Sequence, residues 1–463
     1  MAPEGNTAST SGPSRRVLLF PLPYQGHINP MLQLAGLLSA RGFAITVFHA
    51  VFNAPDPSRH PAYDFVPVPD GMSGGSTDMA VKVNVEHIFT VNSSCEAPFR
   101  ESLAALLEAP GGRDNVACLV ADAQLLTLMD VARQQGVPTL ALRTGSAACF
   151  RNFTAYPMLC HKGYLPAQES QLDEPVAELP PYRVRDLMAI GRSHQEHELM
   201  RKLMSRAVEA VRTSSGFILN TFDALETDDL MATRRDVAVP VFDIGPLHKF
   251  SPAASSSLLQ QDRGCLEWLD AQAPASVLYI SFGSLASMRG AADLAESAWG
   301  IANSGQPFLW VLWSDLVSGV TQATLPDGFD AATRDRGMIV SWAPQEEVLE
   351  HAAVGGFWTH CGWNSTLESV CAGVPMLCRP CFGDQMGNAR YIDHVWRAGI
   401  ALDGELERGK LEAAIRRLMQ SKEGQEMRER AQELRRKAAE AISDAGSSSR
   451  LNIDQLVNHI LSL

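Results

Sequence analysis

The chain lacks any hydrophobic run long enough to cross a membrane. A spanning helix needs roughly 18 or more consecutive apolar residues, and no part of the 463-residue sequence contains such a run. Residues 1–15 also lack the apolar segment of a secretory signal, and their polar composition predicts a short flexible leader. The sequence therefore predicts a protein with no membrane span.

Cysteine is sparse and unpaired by count. The nine cysteines are an odd number scattered over the chain, which argues against a disulfide framework and for a reducing compartment. We therefore expect a cytoplasmic protein. Cys378 and Cys381 have the spacing of a redox or metal pair, but no second such pair or histidine cluster completes a zinc set. Free structural thiols and no bound metal are the prediction.

Positive charge is in deficit, with 39 Lys and Arg against 52 Asp and Glu, for a net charge of −13. An acidic chain repels phosphate backbones, so nucleic acid is not an expected partner. The sequence also lacks a Gly-x-Gly-x-x-Gly motif after a strand, a Gly-x4-Gly-Lys-Ser/Thr motif and an Asp-x-Asp metal motif. The first two absences argue against a dinucleotide oxidoreductase and a P-loop hydrolase, and the third agrees with a site that needs no metal.

Short apolar runs alternate with helical patterns in two series. The runs predict strands at residues 17–20, 44–48, 116–121, 139–142 and 217–220, and again at 277–282, 308–312, 338–340, 355–359 and 374–377. Strands separated by helices indicate right-handed βαβ units and parallel sheets. We therefore predict an α/β protein with two doubly wound, Rossmann-like domains, residues 16–245 and 265–440, and a cleft between them. Residues 246–264 read as a linker, and residues 441–463 as a final helix whose docking site the periodicity leaves open.

The stretch FWTHCGWNST, residues 357–366, combines a strand end with a helix start. Ser365 and Glu368 match a capping box at the start of the helix, but this leaves His360, Trp363 and Asn364 unexplained. In a doubly wound domain, a helix that follows a strand begins at the carboxyl edge of the sheet, where ligands bind. Its free amides and dipole suit a phosphate, so the stretch favours a nucleotide-phosphate site.

Residues 342–385 resemble the signature box of plant family 1 UDP-sugar glycosyltransferases. The matching residues run from Trp342-Ala-Pro-Gln345 through His360-Cys-Gly-Trp-Asn-Ser365 to Asp384-Gln385, and residues 23–30 and 265–284 extend the resemblance over nearly the whole chain. The subgroup that glucosylates cytokinins, benzoxazinoids and diterpenoids is the most similar. The resemblance implies the GT-B fold and an inverting, UDP-glucose-dependent enzyme that forms a β-O-glucoside on a small lipophilic plant metabolite. We also expect a monomer, and the absence of an Asp-x-Asp motif agrees with a reaction that needs no metal or other cofactor.

The resemblance assigns roles within the box. It implies that Trp342 stacks on uracil, that Gln345 contacts the base or ribose, and that Glu368 holds the ribose hydroxyls. The residues implied for the diphosphate are His360, Asn364, Ser365 and Ser284, and those for the sugar are Trp363, Asp384 and Gln385. Glutamine at the last position of the box goes with glucose in this family, so Gln385 favours UDP-glucose.

A histidine and an aspartate follow two strands of the first series. His27 lies just ahead of a predicted helix with Asn29 as N-cap and Pro30 at the first helical position, and Asp122 ends another strand at the same edge. A histidine near its ordinary pKa of about 6.5 can take a proton from an acceptor hydroxyl, and a carboxylate can orient the ring. The family resemblance implies these same catalytic roles.

For some residues, and for the function itself, the sequence leaves alternatives open. Phe150, Phe153 and Tyr156 predict either an acceptor pocket or core packing. His197 is expected on the solvated face of a helix. Transfer to a nitrogen acceptor, as for cytokinins, is an alternative function, and a non-catalytic nucleotide-sugar binding protein is another.

Overall fold

The computed structural model describes residues 15–71, 85–188, 194–251, 260–284, 290–313 and 324–463. The predicted leader, apart from residue 15, and residues 252–259 of the predicted linker lie outside these ranges. The described chain contains two parallel sheets, each with helices on its faces. The predicted two-domain α/β architecture is confirmed.

The N-terminal sheet has seven strands in the order β3-β2-β1-β4-β5-β6-β7, and every neighbouring pair is parallel. Its strands are β1 (Arg16–Phe20), β2 (Ala44–Ala50), β3 (Asp64–Val68), β4 (Val116–Asp122), β5 (Thr139–Arg143), β6 (Gly216–Leu219) and β7 (Val241–Asp243). The five predicted strands are the five inner ones: β2, β1, β4, β5 and β6. Strand β3 was missed because only Val68 of its five residues is buried, which weakens its apolar signal, and β7 because it has only three residues.

The C-terminal sheet has six strands in the order β10-β9-β8-β11-β12-β13, again all parallel. Its strands are β8 (Val277–Ser281), β9 (Phe308–Val311), β10 (Gly337–Val340), β11 (Val354–Thr359), β12 (Met376–Cys378) and β13 (Gly399–Ala401). Strand β13 has three residues and was not predicted, and the other five were.

Helices connect successive strands, and three further helices come after the last strand of the second sheet. In the N-terminal domain they are α1 (Gln25–Ala40), α2 (Val85–Ser94), α3 (Glu96–Glu108), α4 (Gly112–Asn115), α5 (Leu126–Gln134), α6 (Ala147–His161), α7 (His194–Arg212) and α8 (Asp223–Asp236). The later helices are α9 (Gly264–Asp270), α10 (Ala291–Ser304), α11 (Phe329–Thr333), α12 (Gln345–Glu350), α13 (Trp363–Ala372), α14 (Gln385–Arg390), α15 (Arg408–Gln420), α16 (Lys422–Ile442) and α17 (Ser448–Ser462).

The strand order places two ligand-binding edges in the molecule. In the N-terminal sheet β1 lies between β2 and β4, and in the C-terminal sheet β8 lies between β9 and β11, so the winding direction changes at these strands. Doubly wound sheets bind ligands in the crevice beyond the carboxyl ends of the strands at such a point. His27 lies shortly after β1, and Asp122 is the last residue of β4. His360 comes directly after β11.

The final helix returns to the N-terminal domain. Ile453, Leu456 and Ile460 of α17 are buried in the core on one face of the N-terminal sheet, and the His459 side chain contacts the backbone carbonyl of Ser215 at 2.8 Å. This settles the docking site that the sequence left open. The described start of the predicted linker is also packed, since Leu247 is fully buried in the same core.

Hydrogen bonds from buried side chains join the two domains. The indole N–H of Trp396 donates to the carbonyl of Leu225 at 3.3 Å, and the hydroxyl of Tyr391 donates to Asp229 at 2.6 Å. Arg151 pairs with the other oxygen of Asp229 at 2.6 Å. The two domains therefore meet along a packed seam.

Candidate active site

A cavity of about 950 Å³ opens between the carboxyl edges of the two sheets. This volume lies in the range of small-molecule sites. Both domains line the cavity, and eleven of the twelve residues predicted for catalysis and for UDP-sugar binding are among its lining residues: His27, Ser284, Trp342, Gln345, His360, Trp363, Asn364, Ser365, Glu368, Asp384 and Gln385. The twelfth, Asp122, lies directly behind His27.

His27 and Asp122 form a hydrogen-bonded pair. The Nδ1 atom of His27 is 2.6 Å from Oδ2 of Asp122, and the Thr144 hydroxyl is 3.0 Å from the same nitrogen. Asp122 is almost fully buried, and its Oδ1 accepts from the backbone N–H of Gln124 at 3.0 Å. An ionised Asp122 therefore fixes the tautomer that carries its proton on Nδ1, which leaves Nε2 of His27 as the basic nitrogen.

Helix α1, which contains His27, begins earlier than predicted. Its first residue is Gln25 and its N-cap is Tyr24, so Asn29 is not the N-cap and Pro30 lies inside the helix. Proline has no N–H, and the carbonyl four residues earlier loses its helical partner. That carbonyl belongs to Gly26, and it accepts from Nδ2 of Asn364 at 2.9 Å across the domain seam.

The predicted capping box is wrong. Helix α13 begins at Trp363 with Gly362 as N-cap, so Ser365 and Glu368 lie within the helix. Both side chains instead accept hydrogen bonds from Nε2 of Gln345, at 2.8 Å and 2.6 Å. Burial raises the pKa of Glu368 to about 7, against the opposing effect of its hydrogen bond with Gln345.

His360 lies between two glycines. A Cβ atom at Gly283 would be 2.7 Å from Cε1 of the ring, and one at Gly362 would be 2.4 Å from Nε2. Burial lowers the pKa of His360 to about 4, so the ring is neutral at neutral pH. The ring lines the cavity, and a hydrogen bond with the backbone of Ser281 opposes the fall in its pKa.

The three residues predicted to bind sugar have different environments. Asp384 is half-buried and accepts from Nδ2 of Asn388 at 3.3 Å. The Oε1 atom of Gln385 accepts from the backbone N–H groups of Cys381 and Phe382, at 2.8 Å and 3.1 Å, which holds the side chain in place and leaves its amide N–H groups available.

Trp363 lines the cavity, and its indole N–H has a partner in the other domain. Its indole N–H donates to the backbone carbonyl of Asn220 at 2.8 Å, so the indole is committed to the domain seam. Its backbone N–H is at the first position of α13, where no intrahelical partner exists.

The three aromatic residues proposed for an acceptor pocket divide between cavity and core. Phe153 lines the cavity, whereas Phe150 packs on Phe217 with ring centroids 4.6 Å apart and does not line it. Tyr156 is buried, and its hydroxyl is 3.0 Å from Nδ1 of His197. His197 is therefore buried too, not on a solvated face as expected.

Sequence reasoning missed the apolar wall of the cavity. Its apolar members are dispersed along the chain and carry no motif: Leu22, Val85, Ile88, Met188, Met200 and Leu203. It also missed Arg143, a buried cation that lines the same cavity. Polar residues at strand ends were the available signal, because the run of β5 ends at Arg143 as that of β4 ends at Asp122.

The nine cysteines are all free thiols. Within the described ranges no cluster of His, Cys, Asp or Glu side chains could hold a metal ion. The same part of the chain contains no helix whose length and apolarity would let it span a bilayer.

A buried carboxyl group supports the loop between β5 and α6. The two oxygens of Glu226 accept from the backbone N–H groups of Ala147 and Ala148, at 3.1 Å and 3.0 Å, at the start of α6. Burial raises the pKa of Glu226 to about 7. The folded state therefore holds this proton more tightly than the unfolded chain does.

Stability should depend on pH through this group. Its contribution is full below the ordinary carboxyl pKa of 4.5 and is lost as the pH rises through about 7. We expect the melting temperature of the wild type, minus that of Glu226→Gln, to fall by a few degrees between about pH 5 and about pH 8. Differential scanning calorimetry measures both proteins, and a difference that stays constant across this range would contradict the assignment.

Most of the chain matches a known protein family. Residues 15–434 match the profile of the family described as UDP-glucoronosyl and UDP-glucosyl transferase. The chain belongs to this family. It is a UDP-glycosyltransferase, and the family predicted from residues 342–385 is confirmed.

Relatives are similar along their whole length. DIMBOA UDP-glucosyltransferase BX8 of Zea mays is 48% identical over 96% of this chain and 98% of its own. UDP-glycosyltransferase 76B1 of Arabidopsis thaliana is 44% identical over 96% and 98%. The match to BX8 agrees with the predicted subgroup.

Solved structures share the fold of this UDP-glycosyltransferase. UGT2 of Phytolacca americana, complexed with UDP-2-fluoro-glucose and pterostilbene, superposes with a TM-score of 0.80 at 26% identity, over 97% of this chain and 100% of that one. A UDP-glucose:anthocyanidin 3-O-glucosyltransferase in complex with UDP gives 0.83 at 25% identity, over 97% and 99%. The predicted GT-B fold is confirmed.

Proposed function

We propose that this UDP-glycosyltransferase transfers glucose from UDP-glucose to a hydroxyl oxygen of a small lipophilic plant metabolite, with inversion at the anomeric carbon. The observation that carries the proposal is the shared cavity. The His27–Asp122 pair on the N-terminal sheet and the box residues on the C-terminal sheet open into one space. A base is thereby presented to the same volume as the residues proposed for the donor.

The donor is held mainly by the C-terminal domain. The uracil stacks on Trp342, since an aromatic face suits a flat base, and the ribose hydroxyls bind the group formed by Gln345 and Glu368. The diphosphate lies at the start of α13, where free backbone amides and the helix dipole favour negative charge. Side chains proposed to contact it are His360, Asn364, Ser365 and Ser284.

The reaction is a single displacement. As the acceptor oxygen attacks the anomeric carbon, Nε2 of His27 takes its proton, and the buried Asp122 stabilises the imidazolium that forms. The carbon–oxygen bond to UDP breaks on the opposite face, so an α-linked donor gives a β-glucoside. Charge that develops on UDP is stabilised by the α13 amides and by the N–H of neutral His360, and we propose that no metal is required.

The acceptor occupies the apolar side of the cavity. Phe153, Met200 and Leu203 line that side, and such a wall suits a small lipophilic molecule. The relatives' names are consistent with this class, since DIMBOA is the compound named for the maize enzymes. We further propose that the enzyme acts as a cytoplasmic monomer and has no nucleic-acid partner.

An acceptor screen tests the function. The purified protein is incubated with UDP-glucose and flavonoids, phenolic acids, benzoxazinoids, cytokinins and terpenoids, and products are read by mass spectrometry. We expect at least one hydroxylated acceptor to gain one hexose in β linkage. UDP-glucose binding without transfer to any acceptor would instead favour a non-catalytic nucleotide-sugar binding protein.

Donor choice is a separate prediction. The Gln385 side chain is anchored by two backbone N–H groups, which fixes the direction of its amide toward the cavity. We expect a higher kcat/KM with UDP-glucose than with UDP-galactose, by roughly tenfold, about the effect of one hydrogen bond. Initial rates with both donors and one acceptor measure this, and faster transfer of galactose would refute it.

A further inference from the structure

Arg143 is a buried cation with an unfilled hydrogen-bonding capacity. It is the last residue of β5, is 5% exposed and lines the cavity. The only hydrogen bond of its side chain in the described chain is from Nη2 to the thiol of Cys149 at 3.3 Å, and its Nε is buried without a partner. Sulfur is a weak acceptor, and a guanidinium has five N–H donors. Most N–H groups of the Arg143 side chain therefore have no acceptor within the described chain.

The aromatic ring of Phe153 fixes the direction of this group. The guanidinium carbon is 4.2 Å from the ring centroid, a cation–π contact that holds the guanidinium plane at the cavity wall. Thr144, the next residue, contacts His27. Arg143 therefore lies beside the catalytic pair.

Gly145 separates Arg143 from the other domain. A Cβ atom at this position would be 3.3 Å from Oδ2 of Asp384 and 3.4 Å from Nη2 of Arg143. The two side chains make no ion pair, although both line the cavity. The absent Cβ leaves a niche with an acceptor from one domain on one side and a donor from the other domain on the other.

The charges around the niche select a neutral ligand group. Burial alone lowers the pKa of Arg143, but Cys149, Asp384 and then Asp122 outweigh it and raise that pKa. Burial raises the pKa of Asp384, and Arg143 is the main group that opposes this. Because carboxylates already compensate the cation, a hydroxyl that accepts from Arg143 and donates to Asp384 fits the niche better than another anion.

We propose that Arg143 is a further sugar-binding residue, which donates to a hydroxyl of the transferred hexose while that same hydroxyl donates to Asp384. This inference rests on the proposed function, because it takes Asp384 as part of the sugar site. It means that the sugar is recognised by both domains at once. UDP alone, which has no hexose, should not make the contact.

The first test removes the guanidinium group of Arg143, the proposed hydrogen-bond donor. Arg143→Met should lower kcat/KM for UDP-glucose by roughly 10- to 100-fold, as expected for a lost hydrogen bond to a charged group, while the inhibition constant of UDP stays within about twofold. Arg206→Met is the matched control, since Arg206 is a half-buried arginine of the same domain that donates to Thr127 and does not line the cavity. It should leave both constants unchanged.

Deoxygenated donors identify the contact. UDP-glucose analogues that lack the hydroxyl at C2, C3, C4 or C6 are compared in the wild type and in Arg143→Met. For one analogue, the wild type should be slow and the substitution should cost no more. An equal loss with UDP-glucose and all four analogues, or a parallel loss of UDP binding, would overturn the proposal.

A second variant fills the niche without removing charge. Gly145 does not have a left-handed backbone conformation, so Gly145→Ala adds only a methyl group between Arg143 and Asp384. We expect a loss of UDP-glucose transfer similar to that of Arg143→Met, with UDP inhibition and melting temperature retained. This variant decides the matter if Arg143→Met unfolds. Wild-type transfer by Gly145→Ala would refute the inference and leave the proposed function intact, whereas a wild type inert with every UDP-sugar would refute the function itself.

Discussion

Replacing His27 by alanine is expected to lower kcat/KM for a hydroxyl acceptor by about 100- to 10,000-fold, the usual contribution of a general base. The reason is geometric. His27 lines the cavity and Asp122 holds its Nδ1 at 2.6 Å, which leaves Nε2 as the basic nitrogen. No second histidine of the described chain makes such a pair with a buried aspartate. Initial rates with UDP-glucose and a phenolic acceptor measure the loss.

The controls separate chemistry from folding and from acceptor type. Asp122→Ala should lose less activity, because the aspartate acts through His27, and His161→Ala, at an exposed site in the last turn of α6, should lose none. An aromatic amine acceptor depends less on a base, so its transfer should be less affected by His27→Ala. Near-normal transfer to the phenol in this variant would remove His27 from the mechanism.

Gly362→Ala is the second substitution with a large expected effect. The backbone at Gly362 has φ −60° and ψ 145°, which alanine adopts without strain. Its Cβ, however, would be 2.4 Å from Nε2 of His360, well inside contact distance, so the imidazole has to leave its position before α13. We expect the KM for UDP-glucose and the inhibition constant of UDP to rise together by roughly 10- to 100-fold.

The matched control is a glycine at the start of another helix. Gly409, near the start of α15, has no heavy atom within 4 Å of the position of an added Cβ, so Gly409→Ala should leave both constants unchanged. The parallel loss of UDP binding distinguishes Gly362→Ala from Arg143→Met, which should spare UDP. If Gly362→Ala binds UDP like the wild type, His360 has no part in holding the diphosphate.

The helix starts show why local patterns were misleading here. Pro30 resembles a first-turn proline, yet it lies inside α1, and the carbonyl it releases at Gly26 is satisfied by Asn364 from the other domain. Ser365 and Glu368 match a capping box, yet both lie inside α13, and their side chains accept hydrogen bonds from Gln345, which lies outside this helix. In each case a partner distant in the sequence replaced the local one that the pattern assumes.

Aromatic residues near the site illustrate the same limit. Phe150, Phe153 and Tyr156 lie on one helix, but only Phe153 lines the cavity. Periodicity shows that a side chain is buried, and it does not show whether the neighbour is core or ligand. The indole N–H of Trp363, a residue predicted to bind the sugar, donates to Asn220 across the seam, a contact that no local pattern indicates.

By itself the sequence determined the family, the two parallel sheets and the identity of the polar residues at the strand ends, because apolar strand runs and the contiguous box are local features. The tertiary structure alone decided where α17 docks, which aromatic residue reaches the cavity, and that Arg143 and Asp384 flank the niche at Gly145. These depend on contacts between residues hundreds of positions apart. Burial and hydrogen-bond partners are properties of the packed chain, and no short window of residues contains them.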